Sequence, residues 1–143
     1  MDIAFTVHLP VDTGSIPFIR GLCRQALVHL RIERAVIDEI ALALTEACAN
    51  VVQHGGDQAQ YEVEVAIDDR LCRISVVDNG EGFDPATLPQ QDERSPLDGG
   101  RGLLLMQALV DRLDFRHEPD GRHLVTLEKR LGPHPPLRLV DPV

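Results

Sequence analysis

Aromatic residues make up only 3 % of this 143-residue chain, and tryptophan is absent. Because 43 % of the residues are hydrophobic, a sizeable core is available, but it must be aliphatic. Cysteine is scarce as well. Cys23, Cys48 and Cys72 are odd in number and none is part of a CxxC spacing. This argues against a disulfide framework or a zinc site and for free buried thiols in a reducing compartment. The N-terminus, Met1-Asp-Ile-Ala-Phe, lacks a basic region followed by an apolar run, so no signal peptide is expected. No apolar stretch approaches the roughly 18 residues of a membrane span. Positive charge is in deficit: 14 Lys and Arg stand against 23 Asp and Glu, a formal net charge of -9. That argues against general binding to nucleic acid or an anionic membrane, and an acidic surface tolerates a basic protein partner. There is no lysine-serine pair after a glycine loop, as in a P-loop, and no GxSxG nucleophile motif. His117, His123 and His134 show no metal-ligand spacing. The expectation is one cytoplasmic, soluble domain over residues 1–131, followed by a proline-rich tail over 132–143.

Hydrophobic periodicity supplies the elements. Ile3 to Leu9 alternates as a strand, and Asp12 or Thr13 can cap a helix running to about Leu30, with Pro17 in its first turn. A second helix is predicted from Glu33 to His54, stopped by Gly55-Gly56. Tyr61–Ile67 and Leu71–Val77 alternate as a hairpin around Asp68-Asp69. Phe83 to Asp98 reads as a long loop. Leu103–Leu113 is predicted as a third helix, and Asp114–Glu118 with Leu124–Glu128 as a second hairpin around Pro119-Asp120-Gly121. The order β-α-α-β-β-loop-α-β-β predicts an α/β (α+β) two-layer sandwich. Its sheet would be mixed and mainly antiparallel, with helices on one face.

Three short segments carry the chemistry. In Glu46-Ala-Cys-Ala-Asn50-Val-Val-Gln-His54, Glu46 and Asn50 lie one helical turn apart, away from the apolar stripe of the second helix. An Asn oxygen suits Mg²⁺, and a neighbouring Glu can orient or deprotonate an attacking hydroxyl. In Asp78-Asn-Gly80-Glu-Gly82-Phe83, a carboxylate at a strand end can accept from the exocyclic amine of adenine. The glycines that follow let a base and ribose approach the backbone. In Gly99-Gly-Arg-Gly102-Leu-Leu-Leu-Met106, glycines open a helix whose free N–H groups can bind phosphate, with Arg101 adding charge. Each segment alone fits a plain role: a solvated helix face, a tight turn, a hinge. Their order makes the case for an ATP site.

Together these segments resemble the GHKL ATPase superfamily, which includes DNA gyrase and histidine kinases. The chain looks most similar to the small anti-sigma-factor serine/threonine kinases, over roughly residues 3–131. The resemblance implies the Bergerat fold, that of histidine-kinase-like ATPases, with ATP and Mg²⁺ as cofactors. By position it implies Asn50 on Mg²⁺, Glu46 as general base and Asp78 on the adenine amino group. Gly80 and Gly82 would shape the base pocket. Gly100, Arg101, Gly102, Leu103 and Leu104 would meet the phosphates, and Asp84 to Asp98 would form the lid. The implied partners are an anti-anti-sigma (STAS) protein, phosphorylated on Ser or Thr, and a sigma factor. Arg20 in the first helix is placed similarly to an Arg that contacts both, and a homodimer is also implied. Two departures stand out. Gln53 occupies a position that is basic in many members, and Gly121-Arg122-His123-Leu124-Val125-Thr126 lacks the common Gly-Thr pair, leaving Thr126 as the candidate beside the base. A non-catalytic nucleotide-binding module acting by sequestration is the alternative. A histidine-kinase ATP domain is disfavoured, because no segment with a phospho-acceptor His precedes the first strand.

Overall fold

The computed structural model describes residues 1–54, 58–79 and 99–132. Gly80, Gly82, the Gly55-Gly56 stop, the lid over Asp84 to Asp98 and residues 133–143 of the tail therefore lie outside the described residues. Strand β1 spans Ile3–Pro10, and helices α1 and α2 span Ser15–His29 and Arg34–His54. Strands β2 (Gln60–Ile67) and β3 (Leu71–Asp78) form the first hairpin. Helix α3 spans Gly99–Leu109, and β4 (Arg112–His117) and β5 (His123–Arg130) form the second hairpin.

Local chemistry explains the boundaries. The N-cap of α1 is Gly14 rather than Asp12 or Thr13 and makes no side-chain cap bond, while Asp12 Oδ1 accepts the Ser15 N–H at 3.0 Å just before the helix. The end of α1 has no glycine. Instead Arg31 takes the left-handed conformation, φ 62°, so that its N–H reaches Val28 O and the Ile32 N–H reaches Leu27 O. That double closure satisfies the last carbonyls of the helix. In the first hairpin, Asp68 Oδ1 accepts the N–H groups of Arg70 and Leu71 at 2.7 and 2.8 Å, the self-bonding turn that Asp favours.

The third helix differs from the expected Leu103–Leu113. It starts at the glycines and ends at Leu109. Lys129 of β5 donates to Leu109 O at 2.8 Å, which satisfies a terminal carbonyl and lets the chain turn into β4. The second hairpin consequently begins at Arg112 rather than Asp114.

The sheet order is β1-β2-β3-β5-β4, and all four pairings are antiparallel. α2 packs against both α1 and α3 and touches β3 and β5. Alternation puts Val63, Val65, Ile67, Cys72, Ile74, Val76, Val125 and Leu127 under the helices. From the other side come Ile19 and Leu27 of α1, Ile40 and Leu44 of α2, and Met106 of α3. The core is aliphatic, as the composition requires, and the single tyrosine, Tyr61, is inside it. The three cysteines are free and buried there as well. The sheet's other face carries polar residues such as Glu64, Arg73, Ser75, Asp114, Arg116 and Thr126. Among the described residues, no helix is long and apolar enough to cross a membrane.

Candidate functional site

The fold buries few polar side chains. Among the described residues these are Ser15, Asn50 and Asp78. Ser15 has a structural explanation: its hydroxyl donates to Asp12 O at 2.8 Å and lies 2.7 Å from the Tyr61 hydroxyl. Asn50 and Asp78, both singled out by sequence, stand at one end of the domain. α2 ends at His54, β2 starts at Gln60, and Glu62 of β2 pairs with Val77 of β3, so the C-terminal ends of α2 and β3 meet at the same edge.

The α2 face that carries Glu46 and Asn50 is turned towards α3. A Cβ built on Gly102 would lie 2.8 Å from Glu46 Oε1 and 3.8 Å from Asn50 Oδ1. A side chain at 102 would press on the Glu46 carboxylate, and glycine at this one position leaves that carboxylate where it stands. Glu46 is half-buried, and removal from water pushes its carboxyl above the ordinary glutamate value. Asn50 is 4 % exposed, and its Nδ2 is buried without a hydrogen-bond partner among the described residues. An unmet buried amide costs stability unless something binds it, and the amide can present either its oxygen or its nitrogen to that site.

Asp78 ends β3 at 5 % exposure. Gln58 Nε2 donates to Asp78 Oδ1 at 3.3 Å, and Gln58 Oε1 accepts the Asn79 N–H at 2.8 Å. Across the sheet Asp78 pairs in register with His123, whose ring lies 4.2 Å from that of His117. Sequence reading missed Gln58 and His123. A glutamine outside any motif gives no chemical signal, and His123 becomes a neighbour of Asp78 only through the β3–β5 register.

The remaining candidates separate. Gly100 and Arg101 lie in the first turn of α3, Leu103 behind Gly102 is half-buried, and Leu104 is 62 % exposed. The backbone N–H groups of this turn lie at the helix start, where no intrahelical carbonyl precedes them. Thr126 requires a correction. It pairs with Ser75 of β3, its Oγ1 lies 3.1 Å from Ser75 Oγ, and both face away from the helices. Asp78 is an odd number of residues from Ser75, so strand alternation puts it on the opposite face from Thr126. Arg20 Nη1 donates to Thr45 Oγ1 at 3.4 Å across the α1–α2 seam, and Gln53 is exposed on α2.

Residues 9–128 match the histidine kinase-like ATPase domain family. The chain belongs to that family. Among curated relatives, it is 31 % identical over 102 residues to the serine-protein kinase RsbW of Bacillus cereus (strain AH187), an alignment covering 63 % of this chain. The chain spans about 62 % of the length of that relative. Among solved structures, it resembles the RsbU and RsbW domains of Rv1364c from Mycobacterium tuberculosis with a TM-score of 0.70 and 23 % identity, covering 90 % of this chain and 32 % of that one. It resembles the SiaB-SiaC complex from Pseudomonas aeruginosa with a TM-score of 0.66 and 14 % identity, covering 87 % and 88 %. These two likenesses establish that the histidine kinase-like ATPase domain has the fold of its neighbours.

Proposed function

We propose that this domain is an ATP-dependent serine/threonine-protein kinase of the anti-sigma-factor type, acting in the cytoplasm. Its substrate would be a Ser or Thr hydroxyl of an anti-anti-sigma (STAS) protein, and the protein it sequesters would be a sigma factor. A homodimer is the assembly this reading carries with it. The observation that supports it most is the meeting of Gly102 with Glu46 and Asn50, which sets a helix start, a carboxylate and an open buried amide at one place. The serine-protein kinase relative supports the transfer half of the reading.

The donor set fits the implied ligands. Asn50 would hold Mg²⁺ through its side-chain oxygen, one of the few protein ligands this ion takes beside phosphate and water. When bound, ATP and Mg²⁺ supply a transferable γ-phosphoryl group and neutralisation of its charge. The backbone N–H groups of Gly100, Arg101, Gly102, Leu103 and Leu104 would receive the phosphates at the positive end of α3. Asp78 would accept the adenine amino group, with Gly80 and Gly82 beside the base. Glu46 would take the proton of the attacking hydroxyl as its oxygen bonds phosphorus and the bond to the ADP oxygen breaks. Burial raises the Glu46 pKa, which makes its carboxylate a stronger base than an exposed one. Phosphorylation adds about two negative charges to the partner and would eject it from an acidic kinase by repulsion.

The test is transfer of labelled phosphate from ATP to a cognate STAS protein, with nucleotide affinity measured alongside. Glu46→Ala is expected to keep ATP affinity and lose transfer, whereas Asn50→Ala loses the Mg²⁺-dependent part of binding and Asp78→Asn loses affinity outright. Undiminished transfer by Glu46→Ala overturns the base assignment, and equal affinity in all variants overturns the site. A nucleotide-binding module acting by sequestration alone is the second reading, favoured by the uncharged Gln53 at an exposed position of α2. Tight nucleotide binding by the wild type without any transfer selects it.

A further inference from the structure

Gln58 lies in the segment between α2 and β2, outside both elements, yet its side chain spans the end of β3. The two ends of its amide are used at once: Nε2 donates to Asp78 Oδ1 at 3.3 Å and Oε1 accepts the Asn79 N–H at 2.8 Å. An amide is planar and its donor and acceptor are fixed relative to each other. An Asp carboxylate, by contrast, has a broad, roughly two-fold torsion at χ2. The backbone bond anchors Gln58, and the anchored amide then determines the plane in which the Asp78 carboxylate lies.

We propose that Gln58 is a positioning residue for base selection: by fixing the plane of the Asp78 carboxylate it favours purine nucleotides with a 6-amino group over those with a 6-oxo group. This rests on the reading of Asp78 as the group that accepts from the base. A 6-amino group donates to a carboxylate. A 6-oxo group brings a second acceptor to the same place and leaves both lone pairs unmet. How strongly this difference is felt depends on whether the carboxylate is held in line with the base edge, and that is what the Gln58 amide supplies.

The experiment measures the affinities of ATP and inosine triphosphate for the full chain, as wild type, Gln58→Leu and Gln58→Glu. The wild type is expected to prefer ATP. Gln58→Leu removes both bonds and should shrink the ATP-to-inosine-triphosphate ratio by roughly tenfold, with affinity for inosine triphosphate little changed. Gln58→Glu keeps an acceptor for the Asn79 N–H but sets a carboxylate against Asp78, and should lose at least as much of the preference. Melting temperatures accompany each measurement, because a merely structural role would lower both affinities together and leave their ratio intact. That result, or a wild-type ratio in both variants, overturns the inference while the Asp78 reading stands. Absence of any preference in the wild type overturns the role of Asp78 itself, and the inference with it.

Discussion

A methyl group at residue 102 would stand 2.8 Å from Glu46 Oε1, closer than real Cβ contacts allow. The atom it meets is the tip of a flexible side chain, so Glu46 can swing aside at little cost in stability. Alanine also favours the helix over glycine by up to about 1 kcal/mol. Gly102→Ala should therefore fold with an unchanged or slightly raised melting temperature while phosphate transfer falls by roughly 100-fold, since a displacement near 1 Å can cost that much. Parallel melting and transfer assays check both halves, and full transfer would show that the position of Glu46 is unimportant. Glu46 itself carries a stability consequence. Its folded-state pKa is raised by burial, so folding favours the protonated form. That contribution is complete below the unfolded glutamate value of about 4.3 and is lost as pH rises through the folded value. Glu46→Gln should thus melt higher than the wild type at pH 7, and the gap should close in acid. Thermal melts across that range test the sign.

At the scale of elements, chain direction is set by ends more than by interiors. α1 ends at His29, and the turn that closes it passes through Arg31, a non-glycine residue in the left-handed region, where an L side chain meets its own backbone. Arg31→Gly should relieve this and stabilise the domain by about 1 kcal/mol, read as a higher denaturant midpoint. α3 shows the opposite logic. Its glycines are poor helix formers, and sequence patterning accordingly places the start of the helix after them, at Leu103. Close approach to α2 and the bond from Lys129 to Leu109 O set the observed limits, Gly99–Leu109. The strands were more legible, because alternation of apolar and polar residues survives in the half-buried β2 and β5.

Across the whole molecule, one aliphatic core runs from α1 through α2 and α3 into the sheet, so no element holds its position alone. Leu44 is fully buried in that core, and Leu44→Ala should cost about 2–5 kcal/mol. The denaturant midpoint should fall with the slope unchanged, the mark of a single cooperative unit; a broken or two-stage transition would contradict it. The sequence by itself determined the aliphatic core, the order of elements, the two-layer architecture and the candidates Glu46, Asn50, Asp78 and the glycines that open α3. Periodicity and residue chemistry are local properties, and they are written along the chain. Tertiary structure alone decided which of these share a place. Packing of α3 on α2 brings Gly102 to Glu46 and Asn50, whereas sheet alternation sends Thr126 to the opposite face from Asp78. Gln58 and His123 reach Asp78 because a loop crossing and a strand register put distant residues side by side, and no local pattern encodes either contact.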